Sequence, residues 1–146
     1  MTDFPSEPGL TPKEYKEILG RIKLISIRLK SSSSSSKRRA IKSHPKDFTY
    51  KIVSEAKLSD DNDDELRIEH EYQLQGKIKG DRKNVLKIKA VFILTYQADV
   101  KMSDDFFAIY AASSLPLNTW PYFRELVSNI ASRMDLEAIT LPLHKN

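Results

Sequence analysis

The sequence predicts an α+β fold: a long four-stranded antiparallel β-meander with a C-terminal α-helix packed on one face and a short N-terminal helix. Three observations carry that prediction. From Phe48 to Tyr96, apolar and polar residues alternate with a period of two through three runs separated by turn residues, as half-buried antiparallel strands do. From Thr119 to Asp135 the period lengthens to that of a helix, with Trp120, Phe123, Val127, Ile130 and Met134 on one side and Leu126 beside them. Near the other end, Thr11-Pro12-Lys13-Glu14 combines a capping side chain, a proline at the first helical position and a capping-box glutamate.

Taken in order, residues 1–10 hold Pro5, Pro8 and Gly9 and read as a flexible or extended tail. The helix capped by Thr11 is short, with Tyr15, Ile18 and Leu19 apolar and Gly20 as its stop. From Ile22 the period changes, and Ile25, Ile27 and Leu29 alternate with Ser26, Arg28 and Lys30 in a first strand. Ser31 to Ser36 are all serine, and the basic residues Lys37, Arg38, Arg39, Lys42 and Lys46 follow. Serine forbids neither a flexible connection nor the continuation of strand one as an edge strand, so residues 31–46 stay open to both readings.

The second strand sets Phe48, Tyr50, Ile52, Ser54, Ala56 and Leu58 opposite Thr49, Lys51, Glu55 and Lys57. The acidic stretch from Ser59 to Asp64 then turns the chain. Strand three is the cleanest alternation, with Leu66, Ile68, His70, Tyr72, Leu74 and Ile78 on one face. Gly80 to Asn84 make the next turn, and strand four presents Leu86, Ile88, Ala90, Phe92, Leu94 and Tyr96. Its opposite face begins with Lys87 and Lys89 but becomes apolar at Val91 and Ile93. Ser103-Asp104-Asp105 starts a helix through Phe106 and Tyr110, and Ser113 to Asn118 break it. Thr119 caps the long helix with Pro121 in its first turn, and Leu136 to Leu143 close the chain as an extended apolar segment.

Strands three and four run about 45 Å at the usual rise, whereas a helix of some 15 residues covers only about 22 Å. The remaining apolar surface is left for another subunit or for a ligand.

Composition narrows the chemistry. A chain of 146 residues, 40% hydrophobic and 30% charged, makes one domain, read here as residues 1–146. With no cysteine, disulfides, thiol catalysis and cysteine-ligated metals are excluded. The four glycines form no phosphate-binding loop. His44, His70 and His144 are scattered, and His70 on an apolar strand face reads as a hydrogen-bonded core residue. No serine stands in a nucleophile elbow, so neither an enzyme nor a bound cofactor is expected. No apolar run approaches a membrane span and Met1 to Glu7 lack the basic-then-apolar pattern of a secretory signal, so a cytoplasmic protein without membrane insertion is expected. The net charge of +4 and the Lys37–Lys46 region permit a nucleic-acid-binding module as an alternative.

Trp120-Pro121-Tyr122-Phe123-Arg124-Glu125-Leu126-Val127, followed by Leu141-Pro142-Leu143, resembles the C-terminal part of SecB-type chaperones. In that family a Phe/Trp-Pro-Tyr-x-Arg-Glu helix start follows the sheet, and a proline-containing apolar segment follows the helix. The resemblance covers roughly Tyr15 to Leu143 by element order and is specific from Asp104 onward. It implies an ATP-independent holdase for unfolded or nascent polypeptides, assembled as a tetramer of two dimers, with apolar grooves for extended clients.

On that analogy Phe48, Tyr50, Ile52, Leu141 and Leu143 line the groove. Trp120, Tyr122, Phe123, Val127, Ile130 and Met134 serve helix packing and assembly. Export SecB proteins dock on the SecA motor through acidic sheet surface. The basic balance here argues against SecA docking and fits divergent SecB-like proteins better, some of which protect an antitoxin. A dedicated adaptor for one partner is therefore a further alternative.

Overall fold

The computed structural model describes residues 10–61, 65–136, 139 and 141–143. Along the chain come α1 (Pro12–Leu19), β1 (Ile22–Ser36), α2 (Arg38–Ser43), β2 (Phe48–Asp61), β3 (Glu65–Ile78), β4 (Asn84–Ala98), α3 (Asp104–Ala112) and α4 (Ser114–Arg133). The expected N-terminal tail falls outside the described residues, except for Leu10, as does the middle of the acidic turn at residues 62–64.

Local chemistry accounts for most boundaries. Thr11 Oγ1 accepts from the Glu14 amide at 3.1 Å, and the Glu14 carboxylate accepts from the Thr11 amide at 3.0 Å, so the predicted capping box closes. Ser103 caps α3 by accepting from the Phe106 amide at 3.2 Å. Gly80 turns β3 into β4 with a φ of 88°, a left-handed conformation that glycine adopts without penalty.

The four strands form one antiparallel sheet in the order β1-β4-β3-β2. β2, β3 and β4 make the predicted meander, but β1 pairs with β4 and stands at the opposite edge from β2. The connection between them, which carries α2, crosses the end of the sheet. There the Lys37 amide donates to the Val85 carbonyl at 2.7 Å and the Lys79 amide donates to the Asp47 carbonyl at 2.8 Å. Alternation alone says which face a residue occupies, and it is silent about which strand lies beside it.

The serine run is strand. Ser31 to Ser36 pair with Val91 to Leu86, so the flexible reading of that stretch gives way to the edge-strand reading. Irregularities after Leu24 and after Leu29 reset the face of β1 twice. Leu24, Ile27 and Leu29 pair with Tyr96, Leu94 and Phe92 on the apolar face, whereas Ile25 falls in the bulge and is exposed. The simple alternation of Ile25, Ile27 and Leu29 is corrected by that extra residue. The basic stretch that follows holds a short helix, α2, where a loop or strand was expected.

The long helix also begins earlier than its sequence signals. α4 starts at Ser114, with only Ser113 between it and the end of α3, and Pro121 lies inside it. Thr119 is therefore no cap; it is fully buried, with its hydroxyl donating to the Leu115 carbonyl at 3.2 Å. Twenty residues make α4 about 30 Å long rather than 22 Å. Its end is a Schellman motif: the Leu136 amide donates to the Ala131 carbonyl, the Asp135 amide to that of Ser132, and Asp135 takes a φ of 56°.

Helices tile the apolar face along its length. α3 and α1 lie over the Tyr96 end, where the Tyr96 and Tyr110 hydroxyls meet at 2.8 Å and Tyr15 stacks on Phe106 at 4.8 Å. α4 runs from His70 and Tyr72 toward the other end, where Arg38 of α2 pairs with Asp135. The lengthwise shortfall is thereby largely removed. What stays open is width.

Candidate functional site

Four strand axes span about 14 Å at the usual spacing, and a helix with its side chains is about 10–12 Å across. A single α4 laid along the strands therefore covers β3 and β4 and leaves the apolar faces of the edge strands partly bare. Two flanks result.

On the β1 side, Leu29 pairs with Phe92, whose ring centre lies 6.3 Å from that of Tyr122 on α4. Leu29 is 45% exposed and Tyr122 52% exposed, so these two side chains make an open apolar lane over the buried Phe92. Leu126 and Ile130 continue it as half-buried side chains.

On the side turned toward β2, α4 holds the closing segment. The Trp120 indole N–H donates to the Pro142 carbonyl at 2.9 Å, and Arg124 Nε donates to the Leu141 carbonyl at 2.9 Å. These bonds satisfy backbone that has no strand partner and leave Leu143 projecting, 69% exposed. Tyr50 of β2 is 41% exposed, Ile52 is half-buried, and the Phe48 ring lies over Gly76. Beside the segment, Arg124, Glu125, Ser128, Asn129, Ser132, Arg133 and Leu141 line a hollow of about 530 Å³.

Beneath α4 the anchor is polar. Thr119 Oγ1 lies 2.8 Å from the Tyr72 hydroxyl and 2.9 Å from His70 Nδ1, all three buried. Tyr72 also stacks on Phe123 at 4.8 Å. Burial pushes the Tyr72 phenol up to about 12, opposed by its bond to Thr119. Burial likewise raises Tyr96 and Tyr110. These hydroxyls stay protonated and serve as structural hydrogen-bonding groups.

No family model matches the chain, and no curated protein matches it. Among solved structures, the Mycobacterium tuberculosis SecB-like chaperone Rv1957, in complex with a ChAD peptide from the Rv1956 HigA1 antitoxin, superposes with a TM-score of 0.72. The alignment spans 90% of this chain and 97% of that one at 18% identity. The fold is SecB-like. A protein of unknown function from Streptococcus agalactiae is similar at a TM-score of 0.50 and 10% identity, over 84% of this chain and 97% of that one.

Within the SecB-like fold the predicted residues divide by accessibility. Trp120, Phe123 and Val127 are buried under α4, Ile130 and Met134 are half-buried, and Tyr122 stands open. Of the predicted groove residues, Tyr50 and Leu143 are exposed, Phe48 and Ile52 are half-buried, and Leu141 is buried in the core while its carbonyl is held by Arg124. Leu29 and Arg124 were not singled out from sequence. Leu29 carried a weak signal as the last large apolar residue before the serines; Arg124 carried none beyond its place in the motif.

Proposed function

We propose that this SecB-like chain is an ATP-independent holdase that keeps extended, non-native polypeptide segments on the apolar lanes flanking α4. The observation that carries the reading is the exposure of Leu29, Tyr122, Tyr50 and Leu143 beside a helix whose Trp120, Phe123 and Val127 are buried. Such lanes ask for apolar side chains without a defined shape, and open strand edges offer backbone groups to an extended chain. The protein works in the cytoplasm as a homotetramer, uses no cofactor and catalyses no reaction, and its basic balance disfavours docking on SecA.

A dedicated adaptor role is the second reading. It is favoured by the antitoxin peptide bound to the similar mycobacterial chaperone.

The test is aggregation of a chemically unfolded client, followed by light scattering without nucleotide, with the oligomeric state measured in parallel. The wild-type chain suppresses scattering as a tetramer. Leu29→Asp with Tyr122→Asp, and separately Tyr50→Asp, lose suppression while remaining folded with a cooperative melt, because about half of each side chain is already exposed. A monomer without effect on several clients refutes the holdase. Protection confined to one client selects the adaptor.

A further inference from the structure

Charge is sorted along the outer face of the sheet, the face away from α4. Toward one end Glu69 and Glu65 are matched by cations, and between the two ends Glu55 stands opposite Glu71. Glu69 lies 2.9 Å from Lys30 and 3.7 Å from Lys57, and Glu65 lies 2.9 Å from Arg67. The hydrogen bond from Lys30 holds the Glu69 carboxyl below its ordinary value.

Toward the other end, two successive rows cross all four strands: Lys51–Gln75–Lys87–Ser35 and Val53–Gln73–Lys89–Ser33. Lys77 sits in the next row opposite Thr49. Lys89 shares Glu71 at 3.4 Å, and Gln75 donates to Gln73, which donates to Glu71. Among the described residues Lys51, Lys77 and Lys87 have no ion pair. The short serine side chains leave a hollow of about 310 Å³ beside Lys87 and Lys89.

We propose that this basic half of the outer face binds the phosphate backbone of nucleic acid without regard to base sequence. Lysine is a point charge suited to phosphate, and neutral amides and hydroxyls such as Gln73 and Ser33 add contacts to phosphate and sugar. No aromatic side chain stands on this face among the described residues, so bases are not stacked and a duplex is bound through its backbone. An acidic protein would need a buried anchor, typically Trp, Tyr or Arg, and only half-exposed Val53 is apolar here. The surface lies across the sheet from the apolar lanes, so its test stands or falls separately from client binding.

Fluorescence anisotropy of the full chain with a labelled DNA duplex tests it. Four phosphate contacts give a salt slope near −3.6, a loss of roughly 150-fold in affinity between about 50 and 200 mM salt. Combining Lys51→Gln, Lys87→Gln and Lys89→Gln reduces the slope to about −0.9 and weakens low-salt binding at least about tenfold. Lys13→Gln, Lys16→Gln and Lys23→Gln together remove the same total charge elsewhere and leave binding within about twofold. Absence of binding at low salt, or equal weakening in both triple variants, overturns the proposal. Displacement by charge-matched poly-glutamate as efficient as by unlabelled duplex also overturns it, in favour of an acidic protein partner.

Discussion

Replacing Thr119 by valine preserves the shape of the side chain and removes one oxygen from the centre of the molecule. That oxygen lies 2.8 Å from the Tyr72 hydroxyl and 2.9 Å from His70 Nδ1, and it donates to the Leu115 carbonyl. Thr119 is fully buried and His70 nearly so, so no water replaces the lost partner. A buried donor or acceptor deprived of its partner costs about 1–3 kcal/mol, which puts Thr119→Val at roughly 2–4 kcal/mol. For a chain of this length that lowers the melting temperature by roughly 6–12 °C. Thr119→Ser keeps the hydroxyl and loses a methyl, for about 1 kcal/mol. Tyr72→Phe removes one arm of the network and leaves Thr119 its other partners, for about 1 kcal/mol. Urea unfolding of the three single variants and of Tyr72→Phe with Thr119→Val measures these differences. The two side chains share one hydrogen bond, so in the double variant its loss is counted once and the cost falls below the sum of the two singles. A Thr119→Val protein within about 0.5 kcal/mol of wild type, or strict additivity in the double variant, refutes the claim that this hydroxyl fastens α4 to the sheet.

Alkaline titration tests the buried phenols. The folded pKa of Tyr72, about 12, lies above its ordinary value of 10.0, so the native state holds its proton longer than the unfolded chain. Its contribution is complete below about pH 10 and is lost as pH rises toward 12; a fall in stability between those values that Tyr72→Phe lessens is the expected result, and an unchanged profile in the variant contradicts it. Gly76→Ala places a Cβ 2.7 Å from the Phe48 ring and 3.1 Å from Leu86, which costs about 1–3 kcal/mol in chemical denaturation. Phe48→Leu in that background recovers part of the loss if ring displacement is the cause. At Asp135, φ is 56° and the ion pair with Arg38 is solvent-exposed, worth at most about 1 kcal/mol. Asp135→Gly is therefore neutral or stabilising, whereas Asp135→Val destabilises by about 1–2 kcal/mol; the opposite order in thermal melts removes the Schellman assignment.

Much of the fold was legible because it rests on short-range chemistry. The Thr11–Glu14 capping box, the two-residue period of β3 and β4 and the apolar stripe through Trp120, Phe123 and Val127 each report a local constraint: a cap, a pleat or a helix face. Of the site, Tyr50 and Leu143 were anticipated and are exposed, but Leu29 was not among them. Its exposure depends on the width of α4 relative to the sheet, which no local pattern encodes. The start of α4 was misplaced for a related reason. Pro121 and Thr119 carry the local signature of a first turn, yet burial of Leu115 and Thr119 against α3 and the sheet carries the helix back to Ser114.

The sequence by itself determined α1, the strands β2 to β4 with the face each residue takes on β3 and β4, and the helix motif that led to a SecB-like fold. Only the tertiary structure decided that β1 lies beside β4, that the serines are paired strand and that α2 crosses the sheet end. Those features depend on which edge satisfies whose backbone hydrogen bonds, and serine is compatible with every choice until a neighbour with free donors and acceptors is beside it.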